Sequence, residues 1–272
     1  MKRPIIFDCT FREVGYQTGW YFDADYIKDF FKFAMTRSID YVELGFFHNI
    51  NHDQNRGDFR YCSTRNEEIK EIFKAIKNRT KLTAMRDIQR PLSELIPRKD
   101  SAIDAIRILT RSHETDLKLL SDHIDEVRDL GYEVFVNFTS AGYNDLDTNK
   151  KFIEFLAEKG VVTVYFADTE SVMTSDYVIN TIKICQERGL KVGMHFHDKN
   201  GTAELLADLA ITHGVDSIDG TLIGLGGKMR DGNLSLEYIL RKFGLNPGYE
   251  LTNLKNGLIE QLIKYRDFTA AG

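Results

Sequence analysis

His195 and His197 stand two apart in Met194-His195-Phe196-His197-Asp198-Lys199-Asn200-Gly201, directly after the short apolar run Leu190-Lys191-Val192-Gly193. Side chains alternate faces along a strand, so both imidazoles point the same way. Where a strand runs out into a loop, such a pair can reach one metal ion. Two unrelated histidines with ordinary hydrogen bonds would show the same spacing, so other residues must decide. Asp8-Cys9-Thr10-Phe11-Arg12-Glu13 supplies an Asp, an Arg and a Glu at the end of another candidate strand. A carboxylate opposite two imidazoles completes a His₂-carboxylate set with positions open for substrate and water. That set suits Mn²⁺, Mg²⁺, Co²⁺ or Zn²⁺, and equally a non-haem iron. An arginine beside it is a fixed cation that can stabilise a developing oxyanion. A surface Arg–Glu pair at a strand end would read the same.

The elements that must position these groups alternate along the chain. Strands are predicted at Ile5–Asp8, Tyr41–Gly45, Leu82–Met85, Ala105–Leu109, Glu133–Phe138, Val161–Phe166, Leu190–His197 and Val215–Asp219. Helical spacing of apolar residues marks Asp25–Thr36, Glu67–Lys77 and Asp116–Leu130, and an extra helix is predicted over Thr252–Asp267. Glycines at 131, 160, 189 and 214 fall where helix C-caps want them. About eight strand–helix units in one domain indicate an α/β fold, a closed (β/α)₈ TIM barrel. The barrel is placed at about 4–243, within a single domain 1–272 that ends in a helical extension, 244–272. A doubly wound open sheet is the rival, weakened by the lack of a Gly-x-Gly-x-x-Gly turn after the first strand. The long segments Phe46–Asn66 and Ser140–Asn149 follow strands, as active-site loops of a barrel do.

The chain has 272 residues, a net charge of -5 and no run of Lys/Arg, which argues against nucleic acid. Cys9, Cys62 and Cys185 are odd in number and widely spaced, which points to a reducing compartment. No signal-peptide core or membrane-length apolar window is visible, so a soluble, cytoplasmic protein is expected.

Asp8-Cys9-Thr10-Phe11-Arg12-Glu13 resembles the Asp-x-Thr-Leu-Arg-Asp signature of the DRE-TIM metallolyase (HMGL-like) superfamily of metal-dependent aldolases, lyases and Claisen synthases. The likeness is greatest to aldolase-domain proteins of the 4-hydroxy-2-oxovalerate aldolase type. Further similarities follow in order along roughly residues 4–243. They are Glu43-Leu44-Gly45, Ile106-Arg107-Ile108, Ala167-Asp168-Thr169 with Met173, His195-Phe196-His197-Asp198 with Gly201, and Asp219-Gly220-Thr221-Leu222 with Gly224-Leu225-Gly226 and Gly232-Asn233.

The resemblance implies a divalent-metal aldolase or lyase acting through the enolate of pyruvate or a related 2-oxo acid, with an aldehyde as partner and Mn²⁺ as the favoured ion. It makes His195, His197 and Glu13 metal ligands, with Asn233 approaching the metal. Arg12 would stabilise the enolate oxygen, Glu43 would sit beside Arg12, and Thr169 and Arg107 would contact substrate. Tyr16 lies near the place of a proton-shuttling histidine. Two departures stand out: Glu13 replaces Asp, and Val14 replaces a glycine used in a turn. Ser171 also stands where many relatives have Gly. A Claisen-type acyltransferase using acyl-CoA is the alternative, and a degenerate barrel serving as a binding subunit is a third reading. A homo-oligomer is left open.

Other features read more plainly. His48, His52 and His113 are rim candidates for proton transfer, though lone histidines are often structural. Trp20, Tyr21 and Phe22 could cover the site or pack beneath a loop. Arg56-Gly57-Asp58-Phe59-Arg60-Tyr61 reads as a lid with an anion-binding arginine. The stripe Tyr26, Phe30, Phe31 and Phe33 reads as helix core, and Cys9 as a buried filler.

Overall fold

The computed structural model describes residues 2–74, 80–246 and 248–268. Eight parallel strands close into a barrel in sequence order: β1 Ile5–Asp8, β2 Tyr41–Phe46, β3 Lys81–Asp87, β4 Ala105–Arg111, β5 Glu133–Thr139, β6 Thr163–Asp168, β7 Lys191–Phe196 and β8 Ser217–Gly220. β1 pairs with β8 in register from Ile5↔Ser217 to Asp8↔Gly220, which closes the ring. The open-sheet alternative is thereby excluded.

The helices are α1 Thr10–Thr18, α2 Ala24–Thr36, α3 Asn66–Phe73, α4 Leu117–Asp129, α5 Leu146–Glu158, α6 Ser175–Glu187, α7 Ala203–Thr212, α8 Leu236–Lys242 and α9 Glu250–Lys264. The aromatic stripe of α2 is buried, with Phe30 edge-on to Phe11 of α1 at 4.9 Å. α9 docks through Leu251, Leu254 and Leu258, all buried. The end of the helix expected at Glu67–Lys77 lies outside the described residues.

Two sequence expectations need correction. The segment after β1 is not a turn but α1, one residue beyond the strand. Asp8 Oδ1 accepts from Thr10 N and Asp8 Oδ2 accepts from Thr10 Oγ1, which starts that helix at once. Val14 therefore sits in helical backbone with its side chain in the core, and no positive φ is demanded of it. The strand–helix alternation also fails once. β3 joins β4 through a strap with a single 3₁₀ turn, Arg98–Asp100. Pro91 and Pro97 lie in that strap, and proline removes the backbone donor and crowds the preceding turn of a helix. Asn66 pins the strap instead, donating to Asp100 O at 2.9 Å and accepting from Ala102 N at 2.8 Å.

Inward-facing residues stack in layers. The lower layer is aromatic: Phe7 stacks on Tyr41 at 4.3 Å and meets Phe135 and Tyr165 edge-on. One strand alternation higher, the same faces carry Cys9, Glu43, Arg107 and Asp219. Higher still come His195 and His197. The barrel thus passes from an apolar floor through a charged layer to its C-terminal mouth, where barrel active sites are built.

Candidate metal centre

β7 presents His195 on the inner face and His197, one residue past its end, follows on the same side, with ring centroids 5.0 Å apart. Glu13 comes from the first turn of α1. Ligand atoms of Glu13, His195 and His197 lie within 4.8 Å of one another, all buried. Gly226, at φ +114°, lets the loop after β8 close over Glu13. A Cβ there would stand 2.5 Å from the Glu13 Cβ.

Asp219 Oδ2 accepts from His195 Nδ1 at 2.9 Å, which leaves the Nε2 lone pair facing Glu13 Oε1 at 3.2 Å. Two electron-rich atoms at that distance need a proton or a cation between them. His197 Nδ1 and Asp231 Oδ1 repeat the situation at 3.3 Å, and Asn233 Oδ1 is buried beside them. None of these buried atoms has a hydrogen-bond partner: His195 Nε2, His197 Nδ1, Asp231 Oδ1 and Asn233 Oδ1. A backbone bridge pairs His197 with Asn233. Unsatisfied buried donor atoms of this kind are costly alone and are satisfied by a metal ion. The donor set, two imidazole nitrogens and the Glu13 carboxylate with the Asn233 amide oxygen, fits a divalent cation of the borderline-to-hard class. A deeper trio, Cys9, His195 and Asp219, is also close. Its Asp219 is already committed to Arg107, and burial pushes the Cys9 thiol well up, so it is the poorer set.

The charged layer supports the ligands from below. Arg12 Nε donates to Glu43 Oε2 at 2.5 Å, and Arg12 Nη1 pairs with Glu13. Arg107 is fully buried. It donates to Asp219 at 2.5 and 3.2 Å and pairs with Glu43 Oε1 at 3.2 Å. Its guanidinium lies over Phe7 and Tyr165, at 4.6 and 4.3 Å. Two guanidiniums thus meet three carboxylates, so the layer carries one net negative charge, which favours a cation above it. Burial opposes ionisation of Glu13, but Arg12 and the two histidines outweigh it and hold its carboxyl well below the usual range. Asp219 is likewise brought down to about 2 against burial, chiefly by Arg107. Burial disfavours the His195 imidazolium, but its bond to Asp219 and the close approach of the Glu13 carboxylate outweigh it and make the ring more basic.

The structure brings Arg12, Glu13, Glu43, His195, His197 and Asn233 together. Arg107, expected to contact substrate, is fully buried in the layer below. Its side chain lies beneath the site, saturated by two carboxylates and two rings. Thr169 is half-buried at the end of β6, with its Oγ1 accepting from Ser140 N at 2.9 Å. Tyr16 lies one helical turn from Glu13, half-buried in a cleft of about 420 Å³ that also takes in Trp20, His48 and His52. Burial, then Glu13, raises the Tyr16 phenol. His113 is exposed and pairs with Glu114. Of the three covering aromatics only Trp20 faces the cleft, because Tyr21 packs on Tyr265 and Phe22 on Phe11. In the loop after β2, Arg60 reaches the cleft and Arg56 does not. A larger groove of about 710 Å³ lies on the flank between α2 and α9, away from the barrel mouth.

Two further carboxylates border the centre, Asp219 and Asp231, and sequence reasoning assigns no role to either. Strand alternation could have found Asp219, two positions before Thr221 on the inner face of β8. Asp231 had only its nearness to Asn233.

Fold and site define a (β/α)₈ barrel with a histidine–carboxylate centre at its C-terminal mouth. A family model described as HMGL-like matches residues 3–258, and the chain belongs to that family. It is 32% identical over 203 residues to a 4-hydroxy-2-oxovalerate aldolase of Thermomicrobium roseum, covering 69% of this chain and 53% of that protein. The protein of the same name from Thermus thermophilus is 25% identical, over 93% of this chain and 73% of its own length. A 2-isopropylmalate synthase of Burkholderia cenocepacia is 27% identical, over 92% and 51%. The chain therefore spans between about half and three quarters of these relatives. Among solved structures, the N-terminal domain of a provisional aldolase from Bacteroides vulgatus superposes with a TM-score of 0.80 at 23% identity, covering 96% of this chain and 88% of that one. The HMG-CoA lyase of Bacillus subtilis gives 0.70 at 16%, covering 97% and 94%. At those identities the likeness is one of fold.

Proposed function

We propose that the protein is a divalent-metal-dependent aldolase, making or breaking a carbon–carbon bond through the enolate of pyruvate or a close 2-oxo acid. The observation that carries this reading is the convergence of unsatisfied buried atoms of His195, His197, Asp231 and Asn233 beside the ionised Glu13. A cation held by Glu13, His195, His197 and Asn233, with Mn²⁺ favoured, would supply Lewis-acid polarisation of the substrate carbonyl.

The chain's own residues do the rest. Arg12, fixed by Glu43 and Glu13, offers a preorganised guanidinium to the oxygen that becomes negative, and such donors are worth about 10²–10³ in rate. Asp219 keeps the proton of His195 on Nδ1 and so turns Nε2 towards the site. Asp231 approaches His197 from the loop after β8. Tyr16 is placed to move a proton on the substrate hydroxyl, its phenol neutral at physiological pH. Trp20 and Lys228 narrow the entrance. Thr169 keeps one hydroxyl hydrogen free for a substrate carboxylate. Arg107 is reassigned from substrate contact to support of Glu43 and Asp219.

The relatives named 4-hydroxy-2-oxovalerate aldolase favour aldol chemistry, and the synthase relatives keep acyl transfer as the second reading. A cytoplasmic location fits three free, buried cysteines. Among the described residues no helix is long and apolar enough to cross a membrane. The test is cleavage of 4-hydroxy-2-oxo acids, followed by reducing the released pyruvate with lactate dehydrogenase. Metal-dependent release without any acyl-CoA is expected. Turnover only when acyl-CoA is added to a 2-oxo acid would assign the synthase chemistry instead.

A further inference from the structure

The cleft beside the metal centre carries a charge opposite to that of the chain. The whole sequence has a net charge of -5, yet this cleft is lined by Arg60, Arg90, Arg111 and Lys228 against Asp53 and Asp87. It is continuous with the centre at two points. Tyr16 follows Glu13 by one turn of α1. Lys228 follows Gly227, where a Cβ would stand 3.3 Å from the His197 ring.

The cations differ in how they are held. Asp87 fixes Arg111 through contacts of 3.0 and 3.2 Å, and Gln89 Oε1 accepts from the same guanidinium at 2.9 Å. Arg60 lies over the rings of Trp20 and Phe46, at 4.1 and 4.9 Å, with Asp53 at 2.5 Å. These are rigid planar donors. Arg90 is exposed, 3.9 Å from Asp87. Lys228 is exposed and has no carboxylate within 4 Å among the described residues. His48, buried in the same wall, is pushed down to about 4, by burial first and then by Arg60. It adds a neutral ring and no charge of its own at neutral pH.

We propose that this cleft binds the anionic tail of the aldehyde partner, a phosphate or a carboxylate set several atoms from the reacting carbonyl. Two rigid guanidiniums frame the anion, and Arg90 and Lys228 close on it as mobile charges. Planar guanidiniums suit bidentate oxyanions, and a lysine adds a point charge. A volume of about 420 Å³ is within the usual range for a ligand site, and a small uncharged aldehyde would leave most of it to water. The assignment of the anion to an aldehyde rests on the aldolase reading. The anion site itself does not.

Trp20 is the single tryptophan of the chain and stacks against Arg60, so its fluorescence reports on the cleft. Metal-free protein is titrated with inorganic phosphate and with succinate, against chloride at matched ionic strength. A saturable change with phosphate, succinate or both is expected. The tighter ligand identifies the tail as phosphoryl or carboxylate. The double variant Arg90→Ala/Lys228→Ala, altered only at exposed positions, should weaken that binding by about tenfold or more, the equivalent of one charge-assisted hydrogen bond. An equal response to chloride, or unchanged binding in the double variant, overturns the proposal. Kinetics with pyruvate then compare glyceraldehyde 3-phosphate with glyceraldehyde, and succinic semialdehyde with butanal. The proposal requires a higher kcat/KM for the charged member of one pair and a reduced ratio in the double variant. Saturable anion binding with no aldol activity would retain the anion site and defeat the aldolase reading. Activity on neutral aldehydes without anion binding would do the reverse.

Discussion

Asp219 Oδ2 accepts a hydrogen bond from His195 Nδ1 at 2.9 Å while Arg107 donates to the same carboxylate from below. The tautomer of a metal-facing imidazole is thus set by an acid that is itself anchored in the barrel interior. Replacing Asp219 with Asn should cut metal affinity by about 10–100-fold, the usual effect of losing such an outer partner. Calorimetric titration of the metal-free protein with Mn²⁺ checks this. Asp231→Asn should act in the same direction through His197 without touching Arg107, and its melting temperature should stay near wild type.

The two buried arginines should separate cleanly. Arg107→Met leaves Asp219 without its main counter-charge and Glu43 with Arg12 alone, and breaking a buried pair costs about 3–5 kcal/mol. Urea unfolding should show that loss. Arg12→Lys keeps a charge but loses the planar fork that reaches Glu43 and Glu13 together. Its larger effect should fall on turnover. Equal stability losses in the two variants would contradict the division of roles.

Glu13 is the only carboxylate in the cluster of Glu13, His195 and His197. Glu13→Gln removes the charge while keeping the shape, and metal binding should fall by more than about 100-fold. Unchanged affinity would show that Asp231 is the true anionic ligand.

Asp8 gives a pH-dependent signature. Burial pushes its carboxyl up to about 8, against the bonds from Thr10. In the unfolded chain it titrates near about 4. Between those values the folded protein holds a proton that the unfolded chain has released. The contribution is full below about pH 4 and is lost as pH rises through about 8. Asp8→Asn, which can still accept from Thr10 N and can donate to Thr10 Oγ1 in place of accepting from it, should remove this term. Wild type should therefore lose stability relative to the variant on going from pH 5 to 7.5, by at most about 1.4 kcal/mol per pH unit. Parallel urea midpoints would refute the buried acid.

Much of this is legible in the sequence. The facing of His195 and His197 follows from strand periodicity alone, and the barrel follows from repeated alternation. What failed did so for identifiable reasons. Asp8–Tyr16 shows too little apolar spacing to announce α1, so Val14 looked like a strained turn. The β3–β4 strap looked like another unit because its prolines break a helix without erasing its apolar residues. That the Arg107 side chain is sealed in the charged layer is visible only in the closed barrel. The cationic cleft draws on α1 and on the loops after β2, β3 and β8, so no local window contains it.

The central claim is that this site forms an enolate with the help of a divalent cation. The most direct measurement is mass spectrometry of pyruvate after incubation with the protein in D₂O, with and without Mn²⁺. Deuterium should enter the methyl group only when metal is supplied. The rate should fall by about 10²–10³ or more in Arg12→Ala and disappear in His195→Ala. Exchange that proceeds equally without metal, or no exchange of pyruvate or any larger 2-oxo acid by the metal-loaded protein, would contradict the account.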